Sequence, residues 1–142
     1  MMKRLFSLFA FIVVGALCAF SQESFPVVLE REMKSEILGT AKKYCIYLPA
    51  GYGDESKEFP VLYLLHGLTD THTAWRDKGN VQAIATDTFE SGKAQEMVIV
   101  MPDAGTTFDG YFNVPGWRYE DFFFQEFIPH IEKEYRVIAD KG

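Results

Sequence analysis

Two short apolar runs constrain the fold of this chain more than any other feature of its sequence. Residues 61–65 read VLYLL and residues 97–101 read MVIVM, and each run is soon followed by a turn-forming residue, Gly67 or Pro102. A strand that is apolar on both faces is typical of the interior of a parallel sheet. We therefore predict that both runs are buried strands.

A helix is predicted between these strands, because apolar residues recur there at helical spacing. These residues are Val81, Ile84, Ala85 and Phe89. Asn80 is the expected N-cap, and Gly92 is the expected end of the helix. A strand, a helix and a second strand in this order form the βαβ unit of an α/β fold with a mainly parallel sheet.

The last part of the chain predicts a second amphipathic helix over residues 119–137. Its apolar stripe is expected to consist of Phe123, Phe124, Phe127, Ile128, Ile131 and Tyr135. Pro129 lies inside this helix and is expected to bend it, because proline has no backbone N–H to donate to the helical ladder.

Residues 25–48 alternate between apolar and polar side chains in the manner of strands. The alternation is interrupted at Gly39, where a turn is expected. These residues predict an antiparallel N-terminal strand pair beside the mainly parallel central sheet. The predicted fold class is therefore α/β.

The N-terminus has the pattern of a secretory signal peptide. A short basic start precedes an apolar run over residues 5–20. The small residues Ala19 and Ser21 flank Phe20, which is the pattern that signal peptidases recognise. We predict cleavage after Ser21, which leaves residues 22–142 as one secreted or periplasmic domain without stable membrane insertion. An N-terminal membrane anchor, or a lipoprotein attached at Cys18, is the alternative.

Charge and cysteine content exclude some classes of function. The chain has 14 basic and 20 acidic residues, a net charge of −6, and the basic residues form no stripe. Nucleic acid is therefore not an expected partner. Once residues 1–21 are removed, Cys45 is the single cysteine, and its position in a strand-like run indicates a buried thiol rather than a nucleophile.

His66 directly follows the first apolar run and has three conceivable roles. A metal site is not predicted, because the three histidines show none of the usual ligand spacings; His66, His72 and Asp70 are the one set that could chelate an ion from a single loop. A catalytic base needs a nucleophile within hydrogen-bond reach. The position before Gly67 favours a role in shaping the turn after the strand.

Four segments in order carry a resemblance to a known family. They are Lys43 to Tyr52, LYLLHGLTDTHTAW at 62–75, VIVMPDAG at 98–105, and the predicted helix at 119–137. Over residues 27–140 the chain resembles the α/β-hydrolase family that contains esterase D, tributyrin esterase, and acetylxylan and feruloyl esterases. The resemblance implies the N-terminal half of an α/β-hydrolase fold. It also implies hydrolysis of carboxylic esters, including acyl or feruloyl esters on polysaccharides, through a Ser-Asp-His triad without a cofactor.

The resemblance assigns roles to the residues around His66. In such hydrolases the turn after this strand supplies a backbone N–H to the oxyanion hole. The Leu68 N–H is therefore the expected donor, with His66 and Gly67 forming the turn. Thr69, Asp70 and Trp75 are expected to line the substrate pocket.

The nucleophile is the point at which the chain departs from the family pattern. No Gly-x-Ser-x-Gly elbow occurs, and Ser91 is the only serine after Gly67. We therefore expect a domain that is truncated before the elbow and inactive by itself. The resemblance also implies that the missing nucleophile strand pairs with the strand at 61–65, so we expect a bare apolar edge there and poor solubility. A non-catalytic carbohydrate-binding derivative of the same fold, or an acyltransferase, is the alternative function.

Overall fold

The structure, a computed structural model, describes residues 24–139. The predicted signal peptide lies outside the described residues. Within these residues, six strands and four short α-helices follow one another, with a 3-10 turn at Ala50–Gly53 and one π-helical turn between the last two helices. The strands are β1 (Val27–Ser35), β2 (Thr40–Leu48), β3 (Val61–Tyr63), β4 (Val98–Pro102), β5 (Asn113–Val114) and β6 (Trp117–Arg118); the helices are α1 (Ala74–Asp77), α2 (Val81–Glu90), α3 (Tyr119–Phe122) and α4 (Ile128–Glu134).

The central sheet has four strands in the order β1-β2-β4-β3, and β5 and β6 form a separate small hairpin. β1 and β2 are the predicted antiparallel pair, and β2 is also antiparallel to β4. β3 and β4 are parallel and are joined through α2, which is the predicted βαβ unit. The predicted α/β fold class is confirmed.

The two apolar runs differ in burial. Every residue of β4 is buried, as predicted. The prediction of burial on both faces is wrong for the other run, because Leu62 and Leu65 are each 42% exposed. β3 pairs only with β4 among the described residues, so one edge of this strand and part of its face remain open.

Helix α2 occupies the predicted place between Asn80 and Gly92. Asn80 adopts a left-handed backbone conformation (φ 48°) rather than the extended one of a usual N-cap, and its side chain makes no capping hydrogen bond. The predicted cap is therefore right in position and wrong in mechanism. Gly92 has φ 69°, the conformation expected of a glycine that ends a helix.

The second predicted helix is divided into α3, a π-helical turn at Phe123–Phe127, and α4. The Ile128 N–H donates to the Phe123 carbonyl, five residues earlier, directly before Pro129. This extra residue per turn shifts the buried stripe to Tyr119, Phe122, Phe127 and Ile131, each fully buried. The predicted stripe is consequently wrong at Phe124, which is 62% exposed, and it omitted Phe122.

Core residues lie on both faces of the sheet. The face covered by α3 and α4 carries the larger cluster, with Ile46, Val98 and Val100 at its centre. The face covered by α2 carries the smaller cluster, which includes Cys45 and Ile99. None of the described helices is long and apolar enough to cross a membrane.

Candidate active site

The His66 ring is fixed by backbone groups on both sides. The Ala104 N–H donates to His66 Nε2 at 3.1 Å, so this nitrogen is an acceptor. The proton of the neutral ring is then on Nδ1, which donates to the Gly67 carbonyl at 2.8 Å. The side chain is buried, and both nitrogens are occupied. His66 therefore connects the end of β3 to the loop after β4 through its hydrogen bonds. Neither ring nitrogen is left for proton transfer.

Tyr111 holds the backbone of the same residue. Its hydroxyl accepts a hydrogen bond from the His66 N–H at 2.8 Å and donates one to the His66 carbonyl at 3.1 Å. Burial raises the pKa of Tyr111 to about 12, so the hydroxyl keeps the proton that it donates. The end of β3 is consequently held by two residues of the segment that follows β4.

Residues 67–70 form a tight turn directly after this anchored position. The Asp70 N–H donates to the Gly67 carbonyl at 3.1 Å, and Thr69 has φ 68°. These features define a type II turn with Leu68 and Thr69 at its two central positions. The left-handed corner therefore falls on Thr69 and not on Gly67, where the sequence suggested that glycine was needed to turn the chain.

The N–H at the first central position of such a turn is not used by the turn itself. No described residue accepts a hydrogen bond from the Leu68 N–H. Leu68 is also exposed, with 56% of its surface accessible. An anchored, unpaired backbone donor beside a cavity is the geometry that stabilises a developing oxyanion.

Two cavities adjoin the turn. One, of about 190 Å³, is lined by His66, Gly67, Asp70, Ala74, Trp75, Lys78 and Gly79. It brings together Asp70 and Trp75, two of the three predicted pocket residues, while Thr69 lines neither cavity. Asp70 forms an ion pair with Lys78, and Trp75 Nε1 donates to the Leu65 carbonyl at 2.9 Å. Both side chains thus also brace the segment that follows β3.

The second cavity, of about 180 Å³, lies on the side of Leu68. Its walls are provided by the turn and by the loop after β4: His66, Gly67, Leu68, Gly105, Thr107, Phe108, Gly110, Tyr111 and Phe112. Phe108 and Phe112 are strongly exposed. The sequence did not assign Phe108, Tyr111 or Phe112 to a pocket, because the contacts of this loop with the turn join residues about forty positions apart and follow no short-range spacing.

An ion pair supports the end of β4. Lys42 Nζ lies 3.0 Å from Asp103 Oδ2, and the Lys42 ammonium also lies over the Trp117 ring at 5.2 Å. Burial by itself would raise the pKa of Asp103, but the hydrogen bond and charge of Lys42 outweigh it and hold this pKa below its usual value. Asp103 is therefore an anion beside the Ala104 N–H that anchors His66.

The sequence offered His66, His72 and Asp70 as one possible chelating set. In the described part of the chain these three side chains do not form a donor cluster. His72 instead contacts Glu30 on β1, with Nε2 3.2 Å from Oε1.

Comparisons with known proteins identify the family. The sequence matches the family described as "Putative esterase" over residues 35–141. An endo-1,4-beta-xylanase/feruloyl esterase of Xylanibacter ruminicola is 33% identical over 115 residues, 75% of this chain and 16% of that protein. A solved ferulic acid esterase is 42% identical with a TM-score of 0.77, over 81% of this chain and 46% of that one.

A ferulic acid esterase from Anaeromyces mucronatus, solved in complex with ferulic acid, is 29% identical with a TM-score of 0.66. It is matched over 83% of this chain and 46% of its own. The chain thus spans less than half the length of these relatives. The family match includes the turn after β3, the loop after β4 and the last helices, and the chain belongs to this esterase family of α/β-hydrolases.

Proposed function

We propose that the complete protein is a serine carboxylic ester hydrolase and that the Leu68 N–H is one donor of its oxyanion hole. One observation carries this proposal: the Leu68 N–H is unpaired among the described residues, at an exposed turn that His66 and Tyr111 hold in place. When a nucleophile attacks an ester carbonyl, negative charge develops on the carbonyl oxygen. A donor that is already fixed stabilises this charge without reorganisation.

The nucleophile in this proposal comes from outside the 142 residues, since they contain no serine elbow. A second oxyanion donor is the N–H of the residue after that serine. We infer that the chain by itself does not hydrolyse esters. Reading the codons that follow Gly142 tests the point: a Gly-x-Ser-x-Gly supports a hydrolase or an acyltransferase, and its replacement supports a binding protein.

The acyl group that we propose is aromatic, as in feruloyl esters. Phe108, Tyr111 and Phe112 line the cavity beside Leu68, and aromatic walls suit a flat ring better than an acetyl group. The relatives named ferulic acid esterases support the same substrate class. Comparing kcat/KM for methyl ferulate and for a simple acetyl ester measures this preference, and Phe112→Ala should lower the first value more than the second.

We also propose that the protein is secreted or periplasmic, with cleavage after Ser21. The support is the basic start, the apolar run and the small residues before the cleavage point. N-terminal sequencing of the protein recovered from the secreted or periplasmic fraction tests this proposal. An intact N-terminus in the membrane fraction would favour an anchor instead.

The oxyanion proposal can be tested by removing the N–H alone. Proline is favoured at the first central position of a type II turn, so Leu68→Pro deletes the donor and keeps the turn. Among the described residues no backbone hydrogen bond uses this N–H, so the change breaks none of them. In the full-length enzyme we expect kcat to fall about 10²- to 10³-fold with an unchanged melting temperature.

Leu68→Ala is the matched control, because it removes the side chain and keeps the N–H. It should leave kcat within about threefold of the parent value. If Leu68→Pro retains the parent kcat, or if Leu68→Ala lowers kcat as much as Leu68→Pro does, the loss of the amide N–H is not what slows turnover. The assignment of Leu68 to the oxyanion hole would then be wrong, although the esterase activity itself would stand.

A further inference from the structure

Three metal-binding side chains converge at a place separate from the candidate active site. They are Glu30, Cys45 and His72, and one donor atom of each lies within 4.8 Å of the others. Glu30 and Cys45 are direct partners in the β1–β2 ladder, so the strand register places both on one face. His72 reaches them from the loop that follows the turn at residues 67–70. The three donors thus come from three separate segments of the chain.

One separation is close to that of a tetrahedral metal site, and all three are within 4.8 Å. Glu30 Oε1 lies 3.2 Å from His72 Nε2. A zinc ion with ligand bonds of about 2.0–2.3 Å holds neighbouring ligand atoms roughly 3.3–3.8 Å apart. A side-chain adjustment of about 1 Å at most would bring the carboxylate oxygen, the imidazole nitrogen and the thiol sulfur to these separations.

Arg76 supports the cluster from outside. Its Nη1 lies 3.1 Å from Glu30 Oε2 and 3.8 Å from Cys45 Sγ. It therefore fixes one carboxylate oxygen and leaves Oε1 directed at His72, and it can donate a hydrogen bond to a thiolate. Groups that orient metal ligands in this way are typical of metal sites.

The cluster is buried on one side and open to solvent at Glu30, whose side chain is 39% exposed. The Cys45 side chain is buried, and the His72 side chain is 11% exposed. Within residues 24–139, no partner accepts from or donates to the buried His72 Nδ1. Lys43 approaches Glu30 Oε1 at 3.5 Å, but its side chain is more than half exposed and can move into solvent. A bound ion could therefore displace the Lys43 ammonium from Oε1.

We propose that Glu30, Cys45 and His72 bind a divalent zinc-like ion, with water as the fourth ligand. Thiolate, imidazole and carboxylate are the donor types that zinc takes in proteins. Binding forms bonds to Sγ, Nε2 and Oε1, and the thiol proton is released to solvent. The Nε2 proton that His72 donates to Glu30 moves to Nδ1 by exchange with solvent, which leaves Nε2 free to bind the ion. The thiolate and the carboxylate supply two negative charges, and the carboxylate charge is shared between the ion and Arg76.

The expected role is structural. The ion would join the β1–β2 pair to the loop that leads from the candidate oxyanion turn into α1. Ligand spacing in the sequence gives no sign of this site, because the donors are 15 and 27 residues apart along the chain. The proposal does not depend on ester hydrolysis, and it can be tested on this chain without any activity assay.

The test is titration of the full chain with Co²⁺ under a non-thiol reductant. The Cys18→Ser background leaves Cys45 as the only thiol, so any thiolate-to-cobalt charge-transfer band in the near ultraviolet reports on that residue. We expect one cobalt per chain, visible bands typical of tetrahedral cobalt, and displacement by Zn²⁺. Zn²⁺ should also raise the melting temperature, because it binds the folded chain.

Variants of the three donors distinguish coordination by all three side chains from binding by the Cys45 thiol alone. Cys45→Ser should abolish the charge-transfer band, while His72→Gln and Glu30→Gln should each weaken binding at least about tenfold. Glu32→Gln is the matched control, because Glu32 is an exposed glutamate on the same strand and outside the cluster. It should leave the affinity unchanged.

Two results would overturn the proposal. One is a folded chain that shows no thiolate band at saturating Co²⁺. The other is an affinity that His72→Gln and Glu30→Gln leave unaltered, since the thiol alone would then bind the ion. Circular dichroism of each variant verifies folding. If Cys45→Ser does not fold, the two substitutions at the partly exposed ligands still decide the outcome.

Discussion

Strands β3 and β4 have similar sequences and very different surroundings. Both come from uninterrupted apolar runs, and they pair in parallel with Leu62 directly beside Ile99. Ile99 is buried between neighbours on both edges, whereas Leu62 is 42% exposed on the last strand of the sheet. An apolar run therefore shows that a strand can be buried. Whether its side chains are buried depends on the number of strands that flank it in the sheet.

The largest effect is expected from shortening the buried member of this pair. Ile99→Ala leaves a cavity in the cluster formed by Cys45, Tyr47, Val81, Ala85 and Met101. We expect a loss of about 2–5 kcal/mol in the free energy of unfolding, measured by urea denaturation of the chain. A loss below about 1 kcal/mol would mean that this face of β4 is not packed as a core.

The ends of the two strands are tied together, and His66→Ala tests that connection. The substitution removes the acceptor for the buried Ala104 N–H and the donor to the Gly67 carbonyl. Because an unsatisfied buried amide is costly, we expect a loss of about 1–3 kcal/mol. Hydrogen exchange at the Ala104 amide should quicken relative to amides in the centre of β4. An unchanged exchange rate at the Ala104 amide would contradict the proposed connection, through His66, between the end of β3 and the loop after β4.

Asp103 at the end of β4 should make stability depend on pH. Its folded pKa lies below the unfolded value of about 3.9, so its contribution is present above that value and is lost as the pH falls through the folded pKa. Asp103→Asn should cost about 1–2 kcal/mol at pH 7 and reduce the loss of stability in acid. Urea denaturation between pH 7 and pH 3 measures both effects.

Asp109→Asn is the matched control for this measurement, since Asp109 is exposed in the same loop and has no ion-pair partner among the described residues. It should leave the loss of unfolding free energy between pH 7 and pH 3 unchanged. If Asp103→Asn behaves like Asp109→Asn, the ion pair with Lys42 contributes nothing to stability.

Short-range patterns predicted the elements of the fold well. The apolar runs, the helix between Asn80 and Gly92, and the antiparallel pair at the N-terminus follow from spacing within about ten residues. The π-helical turn before Pro129 did not follow from spacing, because it changes the helical phase by one residue. That change exchanges Phe124 for Phe122 in the buried stripe.

The candidate site was predictable in part. The motif around His66 located the turn, but the Tyr111 hydroxyl and the Ala104 N–H come from a loop that only the folded sheet brings near. The cluster of Glu30, Cys45 and His72 was missed for the same reason, because cross-strand register and a distant loop create it. Long-range hydrogen bonds have no short-range sequence period.

The smallest effect on stability is expected at Leu62, the exposed neighbour of Ile99 on strand β3. Leu62→Ala should cost about 1 kcal/mol or less in the same urea measurement, because much of the side chain already contacts water. A cost equal to that of Ile99→Ala would mean that another surface, such as a second copy of the chain, covers β3 in solution. Repeating the measurement at several protein concentrations separates these cases, because only an associated chain gains stability with concentration.

Leu62→Lys refines the same comparison. A lysine on an edge strand opposes pairing with another chain, since its charge would have to be buried at the new contact. We therefore expect the variant to unfold at nearly the same urea concentration as Leu62→Ala and to show less self-association by light scattering. If both variants scatter as much light as the parent chain, the open edge of β3 is not the surface through which the chain associates. The predicted poor solubility would then have to come from another apolar surface, and the exposed Ile84 on α2 is the next residue to substitute.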